Sequence, residues 1–365
     1  MSPDGGPAAR RDVAEENGFS LDDLDRRIIA ALQINGRASW KDISAALGAS
    51  EPTVARRGRR LVESGLIRVV AYLDVLRAGV GVPALVRISC DPRERGRLAD
   101  VIRGRSDVRY AAIVTGPADI IAEFVVPSAD ALVGVLTKDL PSIHGIRGTE
   151  TSSIVRNFFS SNAWEVDRLG AAELAALAAR SNPRQDDRLW HSPASLDDID
   201  AAIMAHLVED GRRPAKAIAA DVGTSESTVA RRIDRLTAEG CIQFRVIVPA
   251  ATLGFDTDLL VWLRVGSASL DEAAQYLMGH HSTKYMWVTA GRFNLCVGVH
   301  LRHLGELYAF ETQVLGALRS AGAVEIDTTL GTIKRAWTPL SPTGHPGPAE
   351  AAGRSVRELI SQRIR

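Results

Sequence analysis

Two stretches of the chain predict helices with several arginines on one exposed side. Residues 50–57 read SEPTVARR and residues 225–232 read SESTVARR. At about 100° per residue, Arg56, Arg59 and Arg60 lie on the side opposite the apolar positions of the first helix. Guanidinium groups pair with phosphates and can form two parallel hydrogen bonds to guanine in the major groove of DNA. These residues therefore indicate a nucleic-acid partner.

Each arginine-rich helix follows a glycine turn that ends in a serine. The turns are residues 48–50, Gly-Ala-Ser, and residues 223–225, Gly-Thr-Ser. Such a serine can cap the next helix by accepting a hydrogen bond from a backbone N–H, and Pro52 suits a first turn because its missing N–H costs little there. A helix, a glycine turn and a capped helix are typical of a helix-turn-helix, although an ordinary three-helix packing unit has the same outline.

The chain contains two copies of one unit, related by a shift of 175 residues. LDDLD at residues 21–25 aligns with LDDID at 196–200, and Gly116 aligns with Gly291. The matches extend over about 140 residues, which indicates a tandem duplication.

The two copies differ in charge and in one core position. Residues 20–73 contain nine Lys or Arg and six Asp or Glu, whereas residues 196–248 contain seven and nine. The net charges are +3 and −2, so we expect the first copy to bind phosphate more strongly. Gly58 takes the inward position that Ile233 has in the second copy, which predicts unfilled core volume there.

Strand patterns follow each helix-turn-helix. The apolar segments 67–72 and 242–248 predict the β-wing of a winged helix. Residues 84–155 and 259–333 each read as strand, helix, strand, strand, helix, strand. This order gives an antiparallel sheet with both helices on one face, the ferredoxin-like arrangement. The predicted fold class is α+β, with two winged helix-turn-helix units, each followed by a ferredoxin-like module, and with the two sheets packed against each other.

Composition indicates a folded protein of more than one domain. The chain has 365 residues, 45% hydrophobic and 24% charged, and 44 basic residues balance 44 acidic ones. A zero net charge excludes a chain that is basic throughout but not a local basic surface. The first residues lack the apolar core of a secretory signal, and no apolar run approaches the roughly 20 residues of a membrane helix, so we expect a cytoplasmic protein. Three scattered cysteines argue against a disulfide framework and a thiolate zinc site.

These patterns divide the chain into two repeats and three segments outside them. The expected boundaries are a disordered segment 1–19, a first winged helix-turn-helix 20–75, a first ferredoxin-like module 80–158, a linker 159–194, a second winged helix-turn-helix 195–250, a second ferredoxin-like module 256–338 and a tail 339–365.

The LDDLD motif, the two serine-started helices, the glycine hairpins and the β-α-β-β-α-β modules together resemble the Lrp/AsnC family of bacterial regulators. The resemblance implies a DNA-binding winged helix, a module that senses amino acids or related metabolites, and homo-oligomers assembled through the effector modules. We expect no cofactor, no metal site and no enzymatic activity. Because the family usually has one unit per chain, duplication would make a built-in pseudo-dimer with two dissimilar halves.

The candidate site residues form two groups. The residues expected to contact DNA are Ser50, Glu51, Thr53, Arg56, Arg57, Arg59, Arg60, Ser225, Ser227, Thr228, Arg231, Arg232 and Arg235. By position in the family motif, the residues expected to bind an effector are Gly116, Asp119, Thr149, Thr151, Gly291 and Asn294. Asn294 replaces the acid of the first hairpin, so the second pocket would lose a charged partner for an amino group.

Two other interpretations remain open at this point. Siroheme decarboxylases resemble the same two-module architecture, and an enzyme of that kind needs His or Arg groups around a porphyrin; His280, His281, His300 and His303 form the only histidine clusters. A structural paralogue whose helices no longer bind DNA is the third possibility. The regulator hypothesis requires that the helix arginines are not turned inward or neutralised by acids of the same chain.

Overall fold

The structure is a computed structural model, and it describes residues 21–159, 168–178, 195–348 and 350–364. The segment 1–19, which was expected to be disordered, lies outside the described residues. Most of the expected linker 159–194 also lies outside them.

Each copy begins with three helices, as predicted. In the first copy they are α1 (Asp23–Ile34), α2 (Trp40–Leu47) and α3 (Glu51–Glu63), and in the second copy α7 (Asp198–Glu209), α8 (Ala215–Val222) and α9 (Glu226–Ala238). Gly48 and Gly223 end α2 and α8 in the left-handed conformation, with φ of 63° and 70°, which glycine adopts without steric cost. The glycine turns therefore aim α3 and α9, the recognition helices, away from the helices that precede them.

The segments predicted as wings form strands that pair with each other. β1 (Arg68–Leu73) and β6 (Ile242–Ile247) make one antiparallel two-stranded sheet, in which Arg68 lies opposite Ile247. Both predicted wing segments therefore form strands, and they pair with each other across the two copies. A strand from each copy satisfies the backbone hydrogen bonds of the other, and the sheet joins the two helix-turn-helix units.

Both second modules have the predicted β-α-β-β-α-β order. The first consists of β2 (Val82–Cys90), α4 (Arg95–Gly104), β3 (Val108–Val114), β4 (Ile120–Val126), α5 (Ala129–Gly134, extended by helical turns to Ser142) and β5 (Ile146–Phe159). The second consists of β7 (Thr257–Val265), α10 (Leu270–Gly279), β8 (Thr283–Ala290), β9 (Leu295–Leu301), α11 (Leu307–Ala309, extended by helical turns to Leu315) and β10 (Ala321–Arg335), after which β11 (Thr338–Pro339) pairs with β10.

The two module sheets face each other and are also joined at both edges. β5 pairs with β2 of its own copy and with β8 of the other, and β10 pairs with β7 and with β3. Eight strands thus close into one sheet, in the order β10-β3-β4-β2-β5-β8-β9-β7 and back to β10. The shared core contains Leu85 and Tyr110 from one copy and Trp262 and Trp287 from the other. The predicted sheet-to-sheet packing is confirmed, and the last strand of each module adds to it by pairing with both copies.

A further helix packs on each helix-turn-helix. α6 (Ala171–Ala178), in the expected linker, places Leu177 in the core of the first unit. α12 (Glu350–Ile364), in the expected tail, buries Val356 and Ile360 in the core of the second unit. The chain therefore returns to the helix-turn-helix of the same copy after each β-α-β-β-α-β module. Of the helices in the described ranges, none has the length and apolar character required to cross a bilayer.

Candidate DNA interface and effector module

The recognition helices expose part of the predicted arginine set. Arg56, Arg59 and Arg231 are exposed on α3 and α9, and within the described ranges no ion pair engages them. The requirement that arginines face solvent without a neutralising acid is met at these three positions. Asp234 is exposed on α9 at the position of Arg59, so the second helix offers less positive charge.

Four other predicted DNA contacts are bound to acids of the first helix in each unit. Asp25, whose side chain is only 2% exposed, accepts from Arg57 at 3.1 Å and from Arg60 at 2.7 Å. Asp200 binds the equivalent pair, Arg232 and Arg235, at 2.9 and 2.6 Å. The expectation that these four guanidinium groups are free for DNA is wrong, because each helps to fix the recognition helix to the helix that crosses it. This is the structural role of the LDDLD and LDDID motifs.

The same motifs cap their own helices. Asp22 accepts from the backbone N–H of Asp25 at 2.9 Å and also binds Arg57, and these interactions lower the pKa of Asp22. Asp197 caps the first helix of the second unit in the same way. Its pKa is lowered mainly by the hydrogen bond from Arg232, and also by the backbone N–H of Asp200. Both carboxylates therefore stay ionised and keep the ion pairs in place.

The serine caps differ between the two recognition helices. The Ser225 Oγ accepts from the backbone N–H of Thr228 at 3.1 Å, as predicted. Ser50 stands at the N-cap position, but its hydroxyl donates to the Thr53 hydroxyl at 2.8 Å and makes no bond to the helix backbone. The predicted side-chain cap is therefore wrong at Ser50, and the first turn of α3 keeps free N–H groups, which favour an anion at that end of the helix.

The space beside Gly58 is filled by Trp40. A methyl group placed on Gly58 would overlap the indole ring of Trp40. The prediction of unfilled core volume is wrong, because the large side chain comes from the neighbouring helix α2. The second copy has the reverse arrangement, with Ala215 at the position of Trp40 and Ile233 at the position of Gly58.

The two helix-turn-helix units bind each other through their Gly-Arg turns. The Arg37 guanidinium donates to the carbonyl of Gly211 at 2.6 Å, and Arg212 donates to the carbonyls of Gly36 and Ala38 at 2.7 and 3.0 Å. Burial lowers the pKa of Arg212 to about 10. These reciprocal contacts and the β1–β6 pair fix the two recognition helices relative to each other.

Two predicted hairpin residues, Asp119 and Asn294, bind backbone groups of the same effector module. The Asp119 carboxylate accepts from the backbone N–H of Cys90 at 2.8 Å and from Arg95. Burial raises the pKa of Asp119, but these two partners outweigh it and the pKa is lowered. Asn294 bonds both ways to the backbone of Val265, at 2.8 Å each. Since residues 90 and 265 are equivalent, the acid-to-amide replacement preserves the same structural contact.

The other predicted effector residues lie on both sides of these hairpins. Gly116, with φ of 92°, lies against Asp327, and Gly291 lies against Ser152. These neighbours are equivalent residues of β5 and β10, so each hairpin packs on the last strand of the other copy. The threonines lie on β5, where Thr149 pairs with Ile88 and Thr151 with Val86. None of the six predicted residues lines the cavities described next.

Three cavities lie near the junction of the DNA-binding and effector parts. An outer cleft of about 640 Å³ lies between the segment after β6 and the end of β10. An inner pocket of about 100 Å³ lies beneath β1 and β6 and shares Ile247 and Arg335 with the cleft. A third, of about 270 Å³, is lined by His280, His281 and His300. His303 is 68% exposed and does not line it.

Sequence reasoning missed the residues of the inner pocket. Arg245 is the one charged residue of β6, and this interruption was the available signal. Arg335 ends β10, which also contains Glu325, Asp327 and Lys334, so its charge gave no such signal. The sequence could not show that Tyr72, Arg109 and Glu123 line the same pocket, because this depends on which strands cover the end of the closed sheet.

Domain comparisons match both helix-turn-helix units and the first effector module. Residues 21–62 and 196–237 match the AsnC-type helix-turn-helix domain, and residues 83–164 match the Lrp/AsnC ligand binding domain. An uncharacterized HTH-type transcriptional regulator of Pyrococcus furiosus is 34% identical over 133 residues, which cover 36% of this chain and 90% of the relative. The HTH-type transcriptional regulator AldR of Mycolicibacterium smegmatis is 29% identical over 152 residues, 40% of this chain and 87% of the relative.

A solved structure shares the two-copy architecture. The crystal structure of the siroheme decarboxylase NirDL covers 94% of this chain and 100% of its own chain, with a TM-score of 0.58 and 13% identity. This likeness shows a common fold across both copies. The sequence relatives, by contrast, match about one copy each over nearly their full length, and both are named as regulators. The chain belongs to the Lrp/AsnC family of transcriptional regulators, in a tandem-duplicated form.

Proposed function

We propose that this chain is a sequence-specific DNA-binding transcriptional regulator of the cytoplasm whose activity is modulated by an amino acid or a related small metabolite. The observation on which this rests is the pair of serine-started helices with exposed arginines, held in a fixed mutual orientation by reciprocal contacts between the two units. Family membership supports the same function.

The DNA contacts that the geometry favours are fewer than the sequence suggested. Arg56, Arg59 and Arg231 are exposed, and their guanidinium groups are available for phosphates or base edges. Ser50, Glu51, Thr53, Ser225, Ser227 and Thr228 stand in the first turns of the two helices, where backbone N–H groups attract phosphate. Arg57, Arg60, Arg232 and Arg235 are positioning residues in this proposal, because they fix the helices to Asp25 and Asp200.

The proposal is tested by DNA binding across a salt series. Genomic fragments selected on the purified chain are labelled, and their affinity is measured by fluorescence anisotropy between 50 and 300 mM salt. We expect the combined Arg56→Ala and Arg59→Ala variant to weaken binding at least tenfold and to flatten the salt dependence, because each lost phosphate contact lowers the slope by about 0.9. The matched control, Arg93→Ala with Arg319→Ala, removes two exposed arginines of the effector modules and should bind like the wild type.

Two results would reject the regulator proposal. One is the absence of binding to any DNA at the lowest salt concentration. The other is binding whose affinity does not change with salt, since a phosphate-binding protein must release counterions.

Homo-oligomers formed through the effector modules are part of the proposal. Val133 and Tyr308 occupy equivalent positions on the outer helices of the two modules, and they are 57% and 77% exposed. Apolar side chains repeated at one outward position favour contact with another copy. Light scattering coupled to size exclusion tests this: Tyr308→Lys should lower the observed mass if the helices form the interface, and a monomeric wild type would contradict it.

A siroheme-decarboxylase-like enzyme is the alternative that the shared fold favours. The described residues contain no group of three His, Cys, Asp or Glu placed to hold a metal ion. Absorbance of the purified chain in the Soret region, and loss of carboxyl groups from added iron porphyrin, would favour the enzyme over the regulator.

A further inference from the structure

The two strands that follow the recognition helices line a small pocket at one end of the closed sheet. β1 begins five residues after α3 and β6 begins four residues after α9. The inner pocket of about 100 Å³ lies beneath them and adjoins the outer cleft of about 640 Å³. A molecule lying across both spaces would contact the DNA-binding and effector parts at once.

The lining of the inner pocket has an excess of positive charge. Its cations are Arg109, Arg245, Lys284 and Arg335, and its one carboxylate is Glu123. Glu123 is engaged by Arg109, whose Nε donates to it at 2.8 Å, and both side chains are buried. Asp258, a carboxylate of the adjoining cleft, also acts electrostatically on Arg335 and Lys284. Two carboxylates therefore face four cations, and the remaining excess of positive charge favours an anionic ligand.

The hydrogen-bond partners of two of these cations include uncharged groups. Arg245 donates to the Gln243 side chain at 2.6 Å, and Lys284 Nζ donates to the carbonyl of His281 at 2.7 Å. Burial lowers the pKa of Arg245 to about 10, which reflects the cost of its charge in this setting.

Arg335 stands where the pocket meets the cleft and lines both. Its Nε is buried without a hydrogen-bond partner within the described ranges. The next two residues, Ala336 and Trp337, have φ of 48° and 60°, which non-glycine residues rarely adopt and which costs energy at each position. Trp337 is held there by donating its backbone N–H to the Arg109 carbonyl at 2.9 Å. The strained turn thus fixes the end of β10 beside the pocket.

The remaining wall is aromatic. Tyr72, Tyr110, Tyr285 and Trp287 line the pocket, and the rings of Tyr285 and Trp287 lie 4.8 Å apart. Aromatic walls with a few fixed polar groups are typical of small-molecule sites. We propose that this pocket, together with the adjoining part of the cleft, binds a small organic acid with a flat aromatic body, whose carboxylate is held by Arg335 where the two spaces meet.

This site is separate from the hairpin residues predicted for the effector. As a regulatory site it rests on the proposed function, because a ligand can shift DNA binding only if its affinity differs between two arrangements of the recognition helices. The binding of the acid itself does not depend on DNA.

Isothermal titration calorimetry of the full chain tests the site with defined probes. Benzoate, phenylacetate and indole-3-acetate are compared with their uncharged amides at concentrations up to 5 mM. We expect at least one acid to bind and its amide to bind at least tenfold more weakly. Arg335→Gln should weaken the acid at least tenfold, and Arg335→Lys, which keeps the charge, should lose less. Arg319→Gln, an exposed arginine of the same module, is the matched control and should bind like the wild type.

Two outcomes would overturn the proposal. The first is that none of the three acids binds the wild type. The second is that Arg335→Gln and the wild type bind an acid equally well. DNA affinity is measured on the same preparations without any acid. If the chain binds the acid as expected but binds no DNA, the ligand site is supported and the regulator proposal is rejected. If the chain binds DNA but no acid, the regulator proposal is supported and the ligand site is rejected.

Discussion

Asp25 and Asp200 show how one buried carboxylate determines the direction of a recognition helix. Each is about 1% exposed and lies between two arginines of the recognition helix of its own unit. A buried carboxylate needs a charged partner, and the arginines are held in a fixed geometry as a result. Residues that look like DNA contacts in the sequence thus support the exposed arginines beside them.

We expect Asp25→Asn to destabilise the first unit. The change leaves Arg57 and Arg60 without their shared charge, and because Arg60 is 45% exposed the loss should be moderate, about 1–3 kcal/mol in the free energy of unfolding. Urea unfolding followed by circular dichroism measures it. Asp23→Asn, on an exposed acid of the same helix, is the control and should change the free energy by less than about 0.5 kcal/mol. Equal stability of the two variants would contradict this role for Asp25.

Buried histidines predict a loss of stability in mild acid. Burial lowers the pKa of His206, His280, His300 and His345 below the ordinary value of 6.5. The unfolded chain then binds protons more readily than the folded chain. The stability that these histidines contribute is therefore fully present above pH 6.5 and is lost as the pH falls from there through their lower pKa values in the folded chain. We expect a lower free energy of unfolding at pH 5.5 than at pH 7.5.

A single substitution isolates the histidine contribution. The first copy has Ala31 at the position of His206, so His206→Ala copies a residue that the fold already accommodates. The variant should lose less stability between pH 7.5 and 5.5 than the wild type. Burial raises the pKa of Asp74 and Asp327, which act in the opposite direction, and the comparison of variant and wild type removes their contribution. An identical pH dependence in both proteins would exclude His206.

At the scale of elements, the sequence predicted those helices, turns and strands that are determined by the repeats and by turn residues. Helix order, the glycine turns and both β-α-β-β-α-β modules follow from local spacing, and all are present. Local spacing does not determine partners across long distances. Three features depend on residues distant in sequence or on another helix. They are the β1–β6 pair, the pairing of β5 and β10 with strands of the other copy, and the filling of space by Trp40. The free arginines could not be separated from the ion-paired ones for the same reason.

The exchange of large and small residues between α2 and α3 can be tested by a double-mutant cycle. The first unit has Trp40 with Gly58, and the second has Ala215 with Ile233. Trp40→Ala alone leaves a cavity, and Gly58→Ile alone overlaps the indole ring, so each should destabilise by about 2 kcal/mol or more. The double variant copies the second unit.

We expect the double variant to be more stable than the sum of the single changes predicts, with a coupling of about 1–3 kcal/mol. Thermal and urea unfolding of the four proteins measure this coupling. Trp40→Ala combined with Ser153→Ala, an exposed residue of the effector module, should be additive. Additive effects in the Trp40 and Gly58 cycle would contradict direct packing between them.

At the scale of the whole molecule, duplication builds a pseudo-twofold arrangement within one chain and lets the halves diverge. Arg87 of the first copy is equivalent to Trp262 of the second, and the two stack, with the guanidinium carbon 4.7 Å from the ring centre. Trp262 also donates to Asp327 at 2.8 Å. A symmetric homodimer could not place a cation against an aromatic ring at the same position. Tandem duplication therefore permits contacts, and a DNA interface, with two unlike halves.

The unequal charge of the two recognition helices gives the last prediction. Asp234 stands on α9 where α3 has Arg59, and it is exposed, so it repels phosphate at a position where the first unit attracts it. Asp234→Arg should tighten DNA binding at low salt and make the slope of log affinity against log salt more negative by about 0.9, the value for one added phosphate contact. Asp198→Arg makes the same charge change on α7, away from the recognition helix, and should leave the slope nearly unchanged. If both variants steepen the slope equally, net charge alone governs binding and α9 does not lie against DNA.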